Sequence, residues 1–255
     1  MKKHPEPADV VEDALVDEVP EEIHPVVFDV IDSETIRKAI LKTKGGAGPS
    51  GLDADGWRHI LLSKNFKDAN AELRNQLALC CRRIATEKID VHSESSSPTS
   101  SLEAYLACRL VPLDKSPGLR PIGVSDVIRR VLGKAFMSVV RDDVREIAGA
   151  IQVCAGQPGG CEAAIHATKD KFNEEDTDAV LLLDASNAFN SMNRATMLEN
   201  IRRTCPIVYI YAYNCYSVHV RLFIIGGEEI KSKEGTTQGD PPAVTLYGLG
   251  LITYY

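Results

Sequence analysis

The first thirty positions, broken by prolines at 5, 7, 20 and 25, show no clear apolar period, and the apolar residues then fall into helical stripes separated by short runs of strand type. Ile36, Ala39 and Ile40 recur at helical spacing after Asp32 or Ser33, either of which can cap a helix that ends at Gly45-Gly46. A second stripe over 68–89 puts Leu73, Leu77, Cys80, Cys81 and Ile84 on one face. The cleanest period begins at Asp126 and carries Ile128, Val131, Leu132, Ala135, Phe136, Val139, Val140, Val144 and Ile147. Arg129, Arg130, Lys134, Arg141 and Arg145 are expected on its opposite, solvated face. Ala164, Ile165, Thr168 and Phe172 mark a further helix, and 193–204, 207–216 and 241–255 read as three more.

Between these stripes lie the strands. Cys108 to Leu113 and Leu119 to Val124 flank Asp114-Lys115-Ser116-Pro117-Gly118, which predicts a hairpin. Val218 to Ile225 and Glu228 to Lys233 predict another around Gly226-Gly227. Ala179 to Leu183 is a continuous apolar run stopped at once by Asp184-Ala185-Ser186-Asn187, so it reads as a short buried strand with a carboxylate at its tip. A mixture of this kind predicts an α+β fold with a small antiparallel sheet packed on helices.

Composition sharpens the boundaries. The chain of 255 residues has a formal charge of −7, which argues against a protein coated in positive field. Its acids are concentrated, with Glu6, Asp9, Glu12, Asp13, Asp17, Glu18, Glu21, Glu22, Asp29, Asp32 and Glu34 set against Lys2 and Lys3. Residues 1–31 therefore read as an acidic flexible segment, and the rest is close to neutral. Residues 32–101 read as a helical extension holding a glycine-rich connector (Gly45 to Gly51) and a serine-rich loop (His92 to Ser101). The connector lacks the Gly-Lys-Ser/Thr ending of a phosphate loop and suits close backbone approach instead. Seven cysteines, without a Cys-x-x-Cys pair, read as reduced thiols, with Cys80, Cys81, Cys161 and Cys215 expected in helix cores. No apolar stretch approaches membrane-spanning length and no hydrophobic leader is present, so an intracellular protein is expected, nuclear or cytoplasmic.

Three short motifs carry candidate chemistry. Lys115 and Arg120 flank the first hairpin, where two cations can be aimed at a triphosphate arriving from solvent. Asp184 ends its run on a rigid element, where a metal can be held closely. Glu234-Gly235-Thr236-Thr237-Gln238-Gly239-Asp240-Pro241 is a polar glycine turn leading into a helix.

Taken in order, Arg120-Pro121-Ile122, Asp184-x-x-x-Ala188-Phe189 and Gln238-Gly239-Asp240-Pro241 resemble the fingers signature and motifs A and B of retroelement reverse transcriptases of non-LTR type. The resemblance covers roughly 105–255, with the glycine-rich segment similar to one found upstream of the fingers in many such polymerases. It implies a right-hand fingers and palm over 102–255 and template-directed addition of dNTPs to a primer 3′-hydroxyl by a two-metal mechanism. The implied partners are an RNA template, a DNA primer and a dNTP, with Mg²⁺ or Mn²⁺ as cofactor. Asp184 is the implied catalytic carboxylate and, with the Ala185 carbonyl, a metal ligand. Lys115, Arg120, Phe189, Gln238 and Gly239 are the implied nucleotide contacts, Phe189 beneath the sugar where it rejects a 2′-hydroxyl. Asn190 stands where an Asp is commoner, and Pro242 where a leucine is usual.

The family's remaining metal carboxylates come from a Tyr/Phe-x-Asp-Asp turn. No Asp-Asp pair follows Asp240, and Asp142-Asp143 lies in a helical pattern. The resemblance thus implies an incomplete palm and a catalytic set that is inactive as this chain stands. The Asp184 strand is then expected to lack sheet neighbours, leaving Val180 and Leu182 partly uncovered and an edge open to self-association. The alternative is a non-catalytic remnant that grips nucleic acid or protein through the basic stripe after Asp126.

Overall fold

The computed structural model describes residues 5–9, 24–89, 101–116, 118–149, 152–153, 158–224 and 226–252. The Asp32 carboxylate accepts the Thr35 amide at 2.8 Å and starts α1 (Ser33–Leu41). Asp53 accepts the Gly56 amide at 2.8 Å and starts α2 (Ala54–Leu62). Next come α3 (Lys67–Thr86), α4 (Ser101–Leu106), strands β1 (Cys108–Asp114) and β2 (Leu119–Ser125), and the long α5 (Val127–Ala148). The second half holds α6 (Gly160–Phe172), α7 (Ala188–Ser191), α8 (Arg194–Thr204), α9 (Pro206–Tyr216), strands β3 (Val220–Phe223) and β4 (Glu229–Ser232), and α10 (Ala243–Gly250).

The architecture is mixed α+β. One four-stranded sheet has the order β2-β1-β3-β4. Both predicted hairpins form, β1 with β2 and β3 with β4, each antiparallel. The sheet as a whole is not antiparallel, because β1 and β3 pair in parallel through Cys108↔Leu222 and Arg109↔Phe223. Two hairpins joined by a helical crossover can meet edge to edge in either sense, and local turn chemistry does not set which.

Helix α5 runs through the core. It packs on α1 and α3, while α3 also meets α9, and α8 joins α9 to α10. Phe136 of α5 stacks on Tyr211 of α9 with ring centroids 4.0 Å apart, and on Phe28 at 5.8 Å. Phe28 belongs to a 3-10 turn, Pro25–Val30, and is buried together with Ile31. Residues 24–31 therefore do not belong to the flexible lead-in expected to run to residue 31. Phe28 and Ile31 have a core to enter while Val26, Val27 and Val30 stay exposed, and Arg82 donates to the Ile31 carbonyl at 2.8 Å. Residues 10–23 and the serine-rich 90–100 lie outside the described residues.

Helix ends show how distant segments are tied. α1 stops at Leu41, before the glycines expected to end it, and the Thr43 hydroxyl donates to the Ala39 carbonyl at 2.8 Å. The Asn214 amide donates to the Ile84 and Glu87 carbonyls, both at 2.7 Å, and its oxygen accepts the Ile89 amide at 2.9 Å. That buried side chain closes the C-terminal end of α3 from another helix. Gly48 sits where a Cβ would lie 2.5 Å from the Asp126 nitrogen, so the connector does approach another backbone closely.

Two expectations about burial fail. Cys80 and Cys161 are exposed, Cys80 because it falls just off the buried stripe of α3 and Cys161 because α6 buries only Gly160, while Cys81 and Cys215 are buried as expected. Burial pushes the Cys81 and Cys215 thiols up to about 12, keeping them neutral and unreactive. The run 179–183 forms no strand: Leu181, Leu182 and Leu183 are 81%, 84% and 86% exposed. A run of aliphatics becomes a strand only when a neighbour offers a ladder, and among the described residues none pairs with it. Ile165 and Phe172 of α6 are likewise exposed.

One surface cluster gives a pH prediction. Glu199 accepts from Arg202 and Arg203, both at 2.6 Å, and hydrogen bonding to Arg202 above all holds its carboxyl down to about 2. A depressed folded pKa stabilises above the unfolded value near 4.5 and is lost as pH falls toward 2. Acid unfolding of Glu199→Gln should accordingly be shallower than that of the parent between those limits, as followed by circular dichroism.

Candidate functional site

A cleft of about 710 Å³ opens between the first hairpin, the 184–189 segment and the loop preceding α10. Lys115, Arg120, Asp184, Ala185, Phe189, Gln238 and Gly239 all line it, although they lie on segments far apart in sequence. Its volume falls in the range of small-molecule and cofactor sites.

The first wall is the hairpin. Arg120 pairs across the ladder with Leu113, and Lys115 lies two residues beyond Leu113, so strand alternation puts both cations on one face. The turn is closed by the Lys115 amide donating to the Gly118 carbonyl at 2.9 Å. Both cations are exposed at the cleft mouth, and no carboxylate pairs with either among the described residues.

The second wall is the stretch from Asp184 into α7. Asp184 is exposed and lies in no strand, so its support comes from the turn after it. Asn187 has φ +57°, the left-handed conformation that asparagine tolerates better than most residues. This bend turns the chain into α7, where Asn190 is buried and donates to the Asn187 side-chain oxygen at 3.1 Å. Phe189 is half-buried and leans on Tyr247 of α10, with ring centroids 4.8 Å apart.

The third wall is the loop 234–240, cemented to both others. The Thr236 amide donates to the Phe189 carbonyl at 2.7 Å, and the Gly235 amide to the Met192 carbonyl at 2.8 Å. Gly235 has φ +72°, and a Cβ there would overlap the Phe189 oxygen and Asn190 backbone. On the other side the Gly123 amide of β2 donates to the Gln238 carbonyl at 3.2 Å. Gly123 tolerates this approach because a Cβ would lie 2.5 Å from the Thr237 methyl. Arg194, buried at the start of α8, donates to the carbonyls of Gly235, Val218 and Ser232 at 2.8, 3.0 and 3.0 Å. Glu234 accepts the Arg194 amide at 2.7 Å.

Under the loop lies a buried ion pair. Arg129 of α5 donates to Asp240 Oδ2 at 2.7 Å and to the Leu106 carbonyl at 2.6 Å, and the Tyr216 hydroxyl donates to the same Oδ2 at 2.8 Å. Burial pulls the Arg129 guanidinium down, but Asp240 together with the other neighbouring groups raises it above its ordinary value and keeps it protonated. The Asp240 side chain therefore does not cap the helix after it. It anchors the loop to α5.

The basic stripe expected after Asp126 does not survive as such. Arg129 is wholly buried, Arg130 donates to the Lys44 and Gly46 carbonyls at 2.7 and 2.5 Å, and Arg145 pairs with Asp142 at 3.7 Å. Arg129 falls three residues before Leu132 and seven before Phe136, on the core face, and this spacing is a signal that a scan for charge overlooks. Arg194, Glu234 and Asn214 give no comparable signal, since their partners come from remote segments.

The donor set bears on a cation. Asp184 is the one cleft carboxylate without a hydrogen-bond or ion-pair partner among the described residues, Asp240 being engaged by Arg129 and Tyr216. One carboxylate with a neighbouring carbonyl suits a single Mg²⁺ that brings most of its ligands as phosphate and water. It does not fit a pair of divalent ions, and no group of three His, Cys, Asp or Glu converges among the described residues. No helix among those residues is long and apolar enough to cross a membrane. No protein-family model matches the chain, and no curated protein matches it.

Proposed function

We propose that this chain is the fingers and part of the palm of a retroelement reverse transcriptase, and that its cleft receives a dNTP. The observation that carries the reading is convergence: the three motifs, up to about 120 residues apart, line one cleft of nucleotide size. On this reading Lys115 and Arg120 meet the triphosphate, where charge-assisted bonds to phosphate are strong. Phe189, braced by Tyr247, sits beneath the sugar and leaves no room for a 2′-hydroxyl. Gln238 and Gly239 offer a side-chain amide and bare backbone to the base. Asp184 and the Ala185 carbonyl would hold a Mg²⁺ that arrives on the phosphates.

Among the described residues no further free carboxylate lines the cleft to hold a second cation, so on this reading the chain binds nucleotide without transferring it. Primer extension on an RNA template with Mg²⁺ or Mn²⁺ and all four dNTPs should give no product with the 255-residue chain. Robust synthesis would overturn the claim that its carboxylate set is incomplete. The exposed run Leu181 to Leu183 belongs to the same reading, as the surface through which copies of the chain self-associate.

A further inference from the structure

Residues 5–9 belong to the stretch expected to be flexible, yet they are tied to segments 185 and 226 residues away. The Ala8 amide donates to Glu234 Oε1 at 3.1 Å, and the Ala8 carbonyl accepts from the Asn193 side-chain amide at 2.8 Å. Beside them Glu6 pairs with Lys233. We propose that residues 5–9 are a strap that holds the cleft loop in place, so that strap docking and nucleotide binding favour each other. The reason begins with the chain itself. Pro5 and Pro7 fix their own φ, and Pro7 keeps Glu6 extended, so little conformational freedom is lost on docking. Ala8 then supplies the first backbone amide after the two prolines.

The receiving end is a buried carboxylate. Glu234 is 4% exposed, and three segments share its oxygens: Ala8 and Asn193 meet Oε1, and the Arg194 amide meets Oε2 at 2.7 Å. Glu234 also opens the loop whose next two amides, those of Gly235 and Thr236, donate to the Met192 and Phe189 carbonyls. Without Ala8, the donor left to Oε1 among the described residues is the Asn193 side-chain amide at 3.4 Å, beyond the usual hydrogen-bond length. A buried carboxylate oxygen deprived of its donor is costly, so Glu234 is drawn toward water. The pull falls on Gly235 and Thr236, the two contacts that hold the Phe189 turn against the loop. Coupling between sites is reciprocal, and a ligand that orders the Phe189 turn therefore tightens the strap. The tie itself rests on no functional reading, whereas its effect on nucleotide affinity rests on the cleft receiving a dNTP.

The test is amide hydrogen exchange, followed by NMR on the full chain. It compares the parent with Glu6→Lys/Ala8→Pro, which reverses the ion pair and removes the donor, and with Ala8→Ser, which keeps the amide. The Gly235 and Thr236 amides should exchange about tenfold or more faster in the double variant, and at the parental rate in Ala8→Ser, with the α5 amides unchanged throughout. Unchanged exchange at Gly235 and Thr236, or a rise shared equally by α5, overturns the proposal. Should the double variant fail to melt cooperatively, Glu6→Lys alone is read instead: a smaller rise at the same two amides upholds the strap, and none sinks it. Mg²⁺·dATP binding, measured on the same samples, should weaken about fivefold or more in the double variant and not in Ala8→Ser. Loosened amides with unaltered affinity also overturn the coupling. A folded parent that binds no nucleotide counts against the cleft reading alone, because the exchange rates still decide the tie.

Discussion

Replacing Arg129 with methionine should lower stability by about 3–5 kcal/mol, because it leaves the Asp240 carboxylate buried beside a single phenol. Against a typical total of about 5–15 kcal/mol the variant is marginal. The loss should appear as a lower denaturant midpoint at an unchanged slope. Removing both charges is the informative control. Arg129→Met with Asp240→Leu should recover a large part of the deficit, since an apolar pair of similar volume needs no compensation. The double variant should nonetheless bind nucleotide weakly, because the Gln238–Gly239 loop loses its anchor to α5. Recovery of stability without recovery of binding is the signature of a positioning role.

The second large effect is expected at Gly235. Alanine there places a Cβ into the Phe189 carbonyl and Asn190 backbone, at a φ of +72° that L residues rarely adopt. Neither neighbour is the end of a flexible side chain, so strain and overpacking add, at about 1–3 kcal/mol each. The same contact holds the Phe189 turn against the loop, through the amides of Gly235 and Thr236. Gly235→Ala should therefore lose both thermal stability and nucleotide affinity, whereas Gly227→Ala, in a turn with open space around it, should cost less and leave the cleft intact. Equal behaviour of the two variants in nucleotide binding would contradict this role for the loop.

Much of this arrangement is legible in the sequence, for reasons that can be stated. The two hairpins, the cap at Asp32, and helices α5, α8 and α9 rest on local patterns, where period and turn chemistry agree. The seven cleft residues are readable because short motifs tie chemistry to sequence order. What local pattern cannot give is pairing between remote segments. The parallel β1–β3 contact, the Asn214 closure of α3 and the Arg194 clamp each depend on residues 24 to 130 positions away. Leu181 to Leu183 show the converse, an apolar run that reads as buried and finds nothing to cover it. Arg129 misleads because charge suggests exposure, although its spacing with Leu132 and Phe136 puts it in the core.

The most direct test of the central claim is a calorimetric titration of the chain with Mg²⁺·dNTP, run in parallel on Lys115→Ala/Arg120→Ala and on Asp184→Asn. The nucleotide-cleft reading predicts saturable binding to the parent, about tenfold or more weaker when the hairpin cations are removed, and loss of the Mg²⁺ dependence with Asp184→Asn. Binding unaffected by all these substitutions, or no binding to a folded parent at millimolar nucleotide, would contradict it.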